Sequence, residues 1–189
     1  EGAGVLAMMR DRDAPKGAAL GWQLASGSSS DGHHIVAPEP QGIQASRAIN
    51  DALRRADIHP ADLCAVQAHA TGTSLGDLAE ARALHRSLRT VADSLPVYAP
   101  KGQLGHLLGA AGSVEAILGL QALSEGILPQ SINADPLDPG VDLAVTTSGP
   151  VKLQEHQSER FMLKNAFGFG GHNISLILAA PCNKPVRTA

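Results

Sequence analysis

The stretch Leu63-Cys64-Ala65-Val66-Gln67-Ala68-His69-Ala70-Thr71-Gly72-Thr73 passes from an apolar run into a histidine, two hydroxyls and a glycine. Leu63 to Ala68 reads as a buried strand that delivers a site at its C-terminal end. Downstream, Leu78, Ala81, Leu84, His85 and Leu88 recur at helical spacing. Upstream, from Ile43, the positions Ala45, Ala48, Ile49, Ala52, Leu53 and Ala56 mark an amphipathic helix to about Asp57, stopped by His59-Pro60. Pro96 to Pro100 encloses another short strand. Ser113 to Leu123 is apolar nearly all round, apart from Glu115 and Gln121, and predicts a helix buried on both sides.

Strands are expected at 2–9 and 19–29, on either side of the charged turn Arg10-Asp11-Arg12-Asp13, and near 142–147, 160–167 and 173–179, after a proline-rich loop at 129–140. Strands alternating with helices, then a closing run of strands, predict a layered α/β domain over residues 1–180, with a disordered tail from about Pro181.

The totals narrow the function classes. The 189 residues suffice for one sizeable domain. Hydrophobic residues make up 43%, charged residues 17%, and the net charge is −3, which gives no electrostatic case for nucleic acid or an anionic membrane surface. With aromatics at 3%, base-stacking platforms are not expected either. No run reaches the roughly 18 apolar residues of a membrane span. The chain starts at Glu1 and enters directly into the apolar run Val5 to Met9, with no leader in view; a fragment or split product located in the cytoplasm is expected. Cys64 and Cys182 fit no metal or redox spacing and are expected to stay reduced.

Three polar clusters could carry chemistry. In the first, His69 follows the strand and is trailed by Thr71, Thr73 and Gly76-Asp77; a satisfied core histidine with capping threonines is the structural alternative. The second is Lys101-Gly102-Gln103-Leu104-Gly105-His106, with Gly109-Ala110-Ala111-Gly112 and Glu115 after it. It allows close backbone approach and a buried Lys101–Glu115 pair, and matches neither a phosphate loop nor a dinucleotide turn. A plain helix-packing surface is the alternative there. The third is Asn165-Ala166-Phe167-Gly168-Phe169-Gly170-Gly171-His172-Asn173, whose glycines can expose amide N–H groups as in an oxyanion hole, or simply form a hairpin around a packed aromatic. The histidines, His33, His34 and His172 among them, lack metal-ligand spacing, so no metal is expected. His85 and His156 read as solvated.

In this order, HATGT (69–73), KGQLGHLLGAAG (101–112) and NAFGFGGHN (165–173) resemble the β-ketoacyl-carrier-protein synthases of the elongating type. The opening EGAGVL is similar to the strand that closes that family's first half. The resemblance implies the C-terminal half of a thiolase-like fold, a layered α-β-α arrangement around a mixed sheet, and usually a homodimer. It implies a decarboxylative Claisen condensation on acyl-carrier-protein thioesters in fatty acid elongation. The substrate brings its own phosphopantetheine, so no cofactor is implied.

By the same resemblance, His69 and His106 would stabilise the enolate formed as CO2 leaves, with Lys101 held by Glu115 and orienting them. The Phe169 backbone N–H would share an oxyanion hole with a cysteine from the first half, and its ring would act as a gate. Thr71, Thr73 and His34 would face the pantetheine arm, with Phe167, Gly168, Gly170 and Gly171 shaping the acyl gate. The nucleophilic cysteine is not in this chain, so the partner would be an N-terminal half or a second chain, and this chain alone is expected to be inactive. A polyketide ketosynthase module and a non-catalytic partner that sets chain length are the alternatives. Gly102 and Ala166 stand where the family has serines, which removes two hydroxyls. Ala70 stands for a glycine, expected to be a small change. YAPK (98–101), HIVAP (34–38) and His172 lean towards the actinobacterial long-chain branch.

Overall fold

The computed structural model describes residues 1–155 and 159–182. Five strands form one mixed sheet in the order β1 (Trp22–Ser30), β7 (His172–Pro181), β6 (Glu159–Gly168), β2 (Leu63–Gln67), β3 (Val97–Tyr98). β1, β7 and β6 are antiparallel neighbours, while β2 runs parallel to both β6 and β3. A ribbon of β4 (Ile127–Leu128) and β5 (Val151–Lys152) stands apart from it.

Strand alternation divides the core in two. On one face Val66, Leu163 and Ile177 pack with Ala45, Ile49, Ala83 and Leu84 of α1 (Ile43–Ala56) and α2 (Ser74–Leu88). On the other, Ala65, Met162 and Leu178 pack with Ala116, Ala122 and Leu123 of α4 (Ala111–Glu125). The result is the expected α-β-α layering. β1 and α1 touch through Gly27, where a Cβ would lie 2.0 Å from the Ala48 carbonyl oxygen.

The helical spacing from Ile43 and from Leu78 predicts α1 and α2 closely, because each lays one apolar stripe on the sheet. β2 is buried along its whole length.

Several expectations are corrected. Residues 2–9 form no strand; Gly2 and Gly4 lie against Leu107, Ser113 and Val114. Residues 142–147 contribute only a bridge between Val145 and Val97. α4 buries Glu115, Ala116, Gly119 and Leu123, but Val114, Ile117 and Leu118 on its other side are only half-buried and Gln121 is exposed. His85 is only partly solvated: its ring lies 2.9 Å from Asp142 and 3.4 Å from Asp93. Pro181 still belongs to β7; His156 and residues 183–189 of the expected tail lie outside the described residues. Among the described residues, no helix is long and apolar enough to cross a membrane.

Candidate active site

Three loops meet at the carboxyl ends of the parallel strands β2 and β3. β2 hands the chain to His69 and Ala70, which is fixed by a carboxylate from the helix that follows. Glu80, buried in α2, accepts the backbone N–H of His69 at 2.9 Å and that of Ala70 at 2.8 Å. The same carboxylate accepts the Asn165 side-chain amide from β6 at 2.9 Å, and Ser175 of β7 donates to Asn165 at 2.8 Å. A buried polar network thus joins α2, the loop after β2, β6 and β7, with its acceptors matched by donors.

β3 leads into the short helix α3 (Lys101–Leu104). Lys101 points inward and its Nζ stands 2.5 Å from Glu115 Oε1 of α4, with both side chains 4% exposed. The contact is an ion pair that approaches off the hydrogen-bonding direction, since Nζ satisfies no hydrogen-bond geometry there. The second oxygen of Glu115 is taken by Lys164 of β6 at 3.1 Å.

These two supports bring the histidines together. The His69 and His106 rings meet edge to face with centroids 5.7 Å apart, and Phe167 lies 5.8 Å from His69 on another side. The Leu108 N–H donates to His106 Nδ1 at 3.2 Å, so a neutral His106 carries its proton on Nε2. Burial, and then the charges of Lys101, His106 and Lys164, push the His69 imidazole down to about 3. It is therefore neutral at physiological pH and keeps one ring N–H to donate.

A cavity of about 430 Å³ opens beside this pair, lined by Thr71, Asp77, Lys101, His106, Asn133 and Asp138 among others. Thr71 and Thr73 share a hydrogen bond of 3.1 Å at its mouth. Burial, and then Glu80, raise the Asp77 carboxyl to about 6.

The glycine loop between β6 and β7 is tied to the 31–39 segment. Gly170 N–H donates to the Ile35 carbonyl at 2.6 Å, Asn173 to Asp31 at 2.6 Å, and Asp31 N–H to the Gly171 carbonyl at 2.9 Å. Gly170 and Gly171 both have positive φ, 82° and 75°, and Gly168 has open space around it. Phe169 is 77% exposed, so in this chain the ring beside His69 is that of Phe167. His34 turns its Nδ1 to its own loop, accepting the N–H groups of Val36 and Ala37.

Two departures from the family pattern take on another meaning. Ala70 has φ +35°, a left-handed backbone where glycine is preferred, so its replacement of glycine is not neutral. At Gly102 a Cβ would lie 2.0 Å from the Ile132 carbonyl oxygen, so this loop has no room for the serine.

Neither cysteine is an activated nucleophile. Burial pushes the Cys64 thiol up to about 12, and it donates to the Phe161 carbonyl inside the sheet. Cys182, just past the end of β7, is also shifted upward.

The residues that sequence reading missed are Glu80, Lys164, Ser175 and Asp31. Glu80, Lys164 and Ser175 sit in helix or strand patterns where a lone polar residue reads as a solvated position, and only the pairing of the strands puts them behind the histidines; Asp31 lies in the loop after β1 and holds the glycine loop instead.

Comparison with known proteins gives the family of the chain. Residues 20–135 match the family described as β-ketoacyl synthase, C-terminal domain. The chain is 41% identical over 178 residues to the 3-oxoacyl-[acyl-carrier-protein] synthase 2 of Mycobacterium leprae, covering 92% of this chain and 41% of that protein. It therefore spans about two fifths of that relative's length. Among solved structures, the ishigamide ketosynthase/chain length factor superposes with a TM-score of 0.77 at 29% identity, covering 87% of this chain and 38% of that one. A ketosynthase in complex with its chain length factor from Xenorhabdus doucetiae superposes with a TM-score of 0.70 at 35% identity, covering 84% and 38%. With a family match over most of its length, and the mixed sheet and layered helices of those ketosynthases, this chain belongs to the β-ketoacyl synthases and carries their C-terminal, thiolase-like domain.

Proposed function

We propose that this chain supplies the decarboxylating half of a 3-oxoacyl-[acyl-carrier-protein] synthase of the fatty-acid-elongating type. The observation that carries this is the His69–His106 pair, two imidazoles in edge contact with a buried Lys101–Glu115 ion pair behind them. Breaking the bond between the malonyl carbon and its carboxylate releases CO2 and leaves an electron pair on the thioester enolate. The imidazole N–H groups of His69 and His106 donate to the enolate oxygen as its charge develops, the kind of preorganised stabilisation that lowers such barriers most. The enolate carbon then attacks the acyl thioester, and a cysteine thiolate from the other half departs. The Phe169 backbone N–H serves the oxyanion of that step, and its ring gates the acyl pocket.

The malonyl unit arrives on the phosphopantetheine arm of an acyl carrier protein, past Thr71, Thr73 and His34. No further cofactor is called for. The working form is a two-half assembly, homodimeric as a whole, in the cytoplasm, where Cys64 and Cys182 stay as free thiols. The retained set His69, Lys101, His106 and Glu115 favours a condensing subunit over a non-catalytic partner.

The test is to combine the chain with a cysteine-bearing N-terminal half and follow CO2 release from malonyl-carrier protein. The expected result is release by the pair, none by the chain alone, and loss in His69→Ala and His106→Ala. Parent-like release by either variant, or condensation by the chain alone, overturns the reading.

A further inference from the structure

Lys164 is among the most deeply buried charged side chains of the molecule, 1% exposed at the centre of the sheet. An ammonium buried this deeply is costly unless it is paired, so its position demands a partner. That partner is Glu115, whose other oxygen already meets Lys101. One carboxylate thus holds two lysines, which arrive from different elements: Lys101 from α3 and Lys164 from β6.

Register explains why both fit. Lys164 pairs with Gln67 across the β2–β6 ladder, so both side chains rise on the α4 face. The next residue, Asn165, points to the opposite face and holds Glu80, which in turn holds the His69 and Ala70 amides. Two consecutive residues of β6 therefore anchor the two buried glutamates, one in each helix layer. Lys164 also donates to the Asn165 carbonyl at 3.2 Å, which ties the two anchors together.

We infer that Lys164 is a positioning residue for the histidine pair: it clamps Glu115 from the sheet side, fixing Lys101, and places a second buried cation that disfavours protonation of His69. The charged groups around that imidazole are Lys101 from α3, His106 from the following loop, Lys164 from β6, Glu80 from α2 and Glu115 from α4. Both lysines act on His69 in the same direction as its burial. Removing Lys164 takes away one cation and leaves Glu115 less neutralised, and both changes favour imidazolium. The consequence for decarboxylation rests on the function proposed above; the protonation of His69 does not.

The experiment is an NMR titration of the His69 ring in the protein and in Lys164→Met, which keeps the side-chain length and removes the charge. The expected result is a His69 pKa shifted upward in the variant. An unchanged His69 titration in a folded variant overturns the inference, since a purely packing role would leave it unmoved. If Lys164→Met does not fold, the side-chain nitrogen spectrum of the parent decides. An ammonium at Lys164 at pH 7 supports the clamp, and a neutral amine there overturns it.

Discussion

The Glu80 carboxylate accepts the backbone N–H of both His69 and Ala70, so the loop that presents the first histidine is gripped by the helix that follows it. A carboxylate receiving two adjacent amides and the Asn165 side chain fixes the direction in which the chain leaves β2. Replacing it with glutamine sets an amide NH2 against one of those donors. Glu80→Gln should cost roughly 2–3 kcal/mol of stability, the usual penalty for a broken buried charged hydrogen bond. Amide hydrogen exchange should show faster exchange at His69 and Ala70 than in the parent, with urea denaturation giving the loss.

Ala70 occupies a backbone conformation that a Cβ disfavours. Ala70→Gly should stabilise the chain by about 1 kcal/mol or somewhat less, since the relief of strain is partly offset by the greater freedom of glycine in the unfolded state. A urea midpoint at or below the parent's would show that Ala70 is not strained.

Restoring the family's serine after the lysine should fail as a repair. In Gly102→Ser the new side chain meets the Ile132 carbonyl, which is backbone, while Asn133 already donates to the Gly102 carbonyl at 2.9 Å. Overpacking of this kind costs about 1–3 kcal/mol. The 129–133 segment should shift in a crystal structure of the variant, and Lys101 with it.

His69 makes stability depend on pH in a defined direction. Its imidazole, driven down to about 3 in the folded chain, takes up a proton near 6.5 once unfolded. The unfolded state binds more protons across that window, so this contribution is whole above pH 6.5 and is lost as pH falls towards 3. The ring resonance of His69 should stay unshifted down to about pH 4, and a titration near 6.5 in the folded chain would contradict the burial seen here.

Asp77 acts in the opposite sense. Its folded pKa of about 6 lies above the unfolded value of 3.8, so its contribution is present below 3.8 and lost as pH rises through 6. Asp77→Asn removes that loss. Relative to the parent, the variant should gain on the order of 1 kcal/mol as pH rises from 4 to 7, after allowing for solvent screening at the cavity mouth. Paired denaturation curves at the two pH values measure it.

What the amino-acid sequence determined by itself was the main helices, most strands of the central sheet and the local motifs. The apolar stripes of α1 and α2, the buried run of β2, and the order of HATGT, KGQLGHLLGAAG and NAFGFGGHN are local patterns, and local patterns survive without knowledge of neighbours. They also made the Lys101–Glu115 pair legible, because a lysine and an acid flanking a glycine-rich turn have few other ways to be buried. What only the tertiary structure decided was the support behind the histidines. Glu80 and Lys164 are ordinary charged residues in a helix and a strand, and their burial depends on β6 pairing in parallel with β2 across nearly a hundred residues. The left-handed turn at Ala70 and the missing space at Gly102 also depend on distant segments. Strand register is a nonlocal choice, and here it decides which side chains stand behind His69.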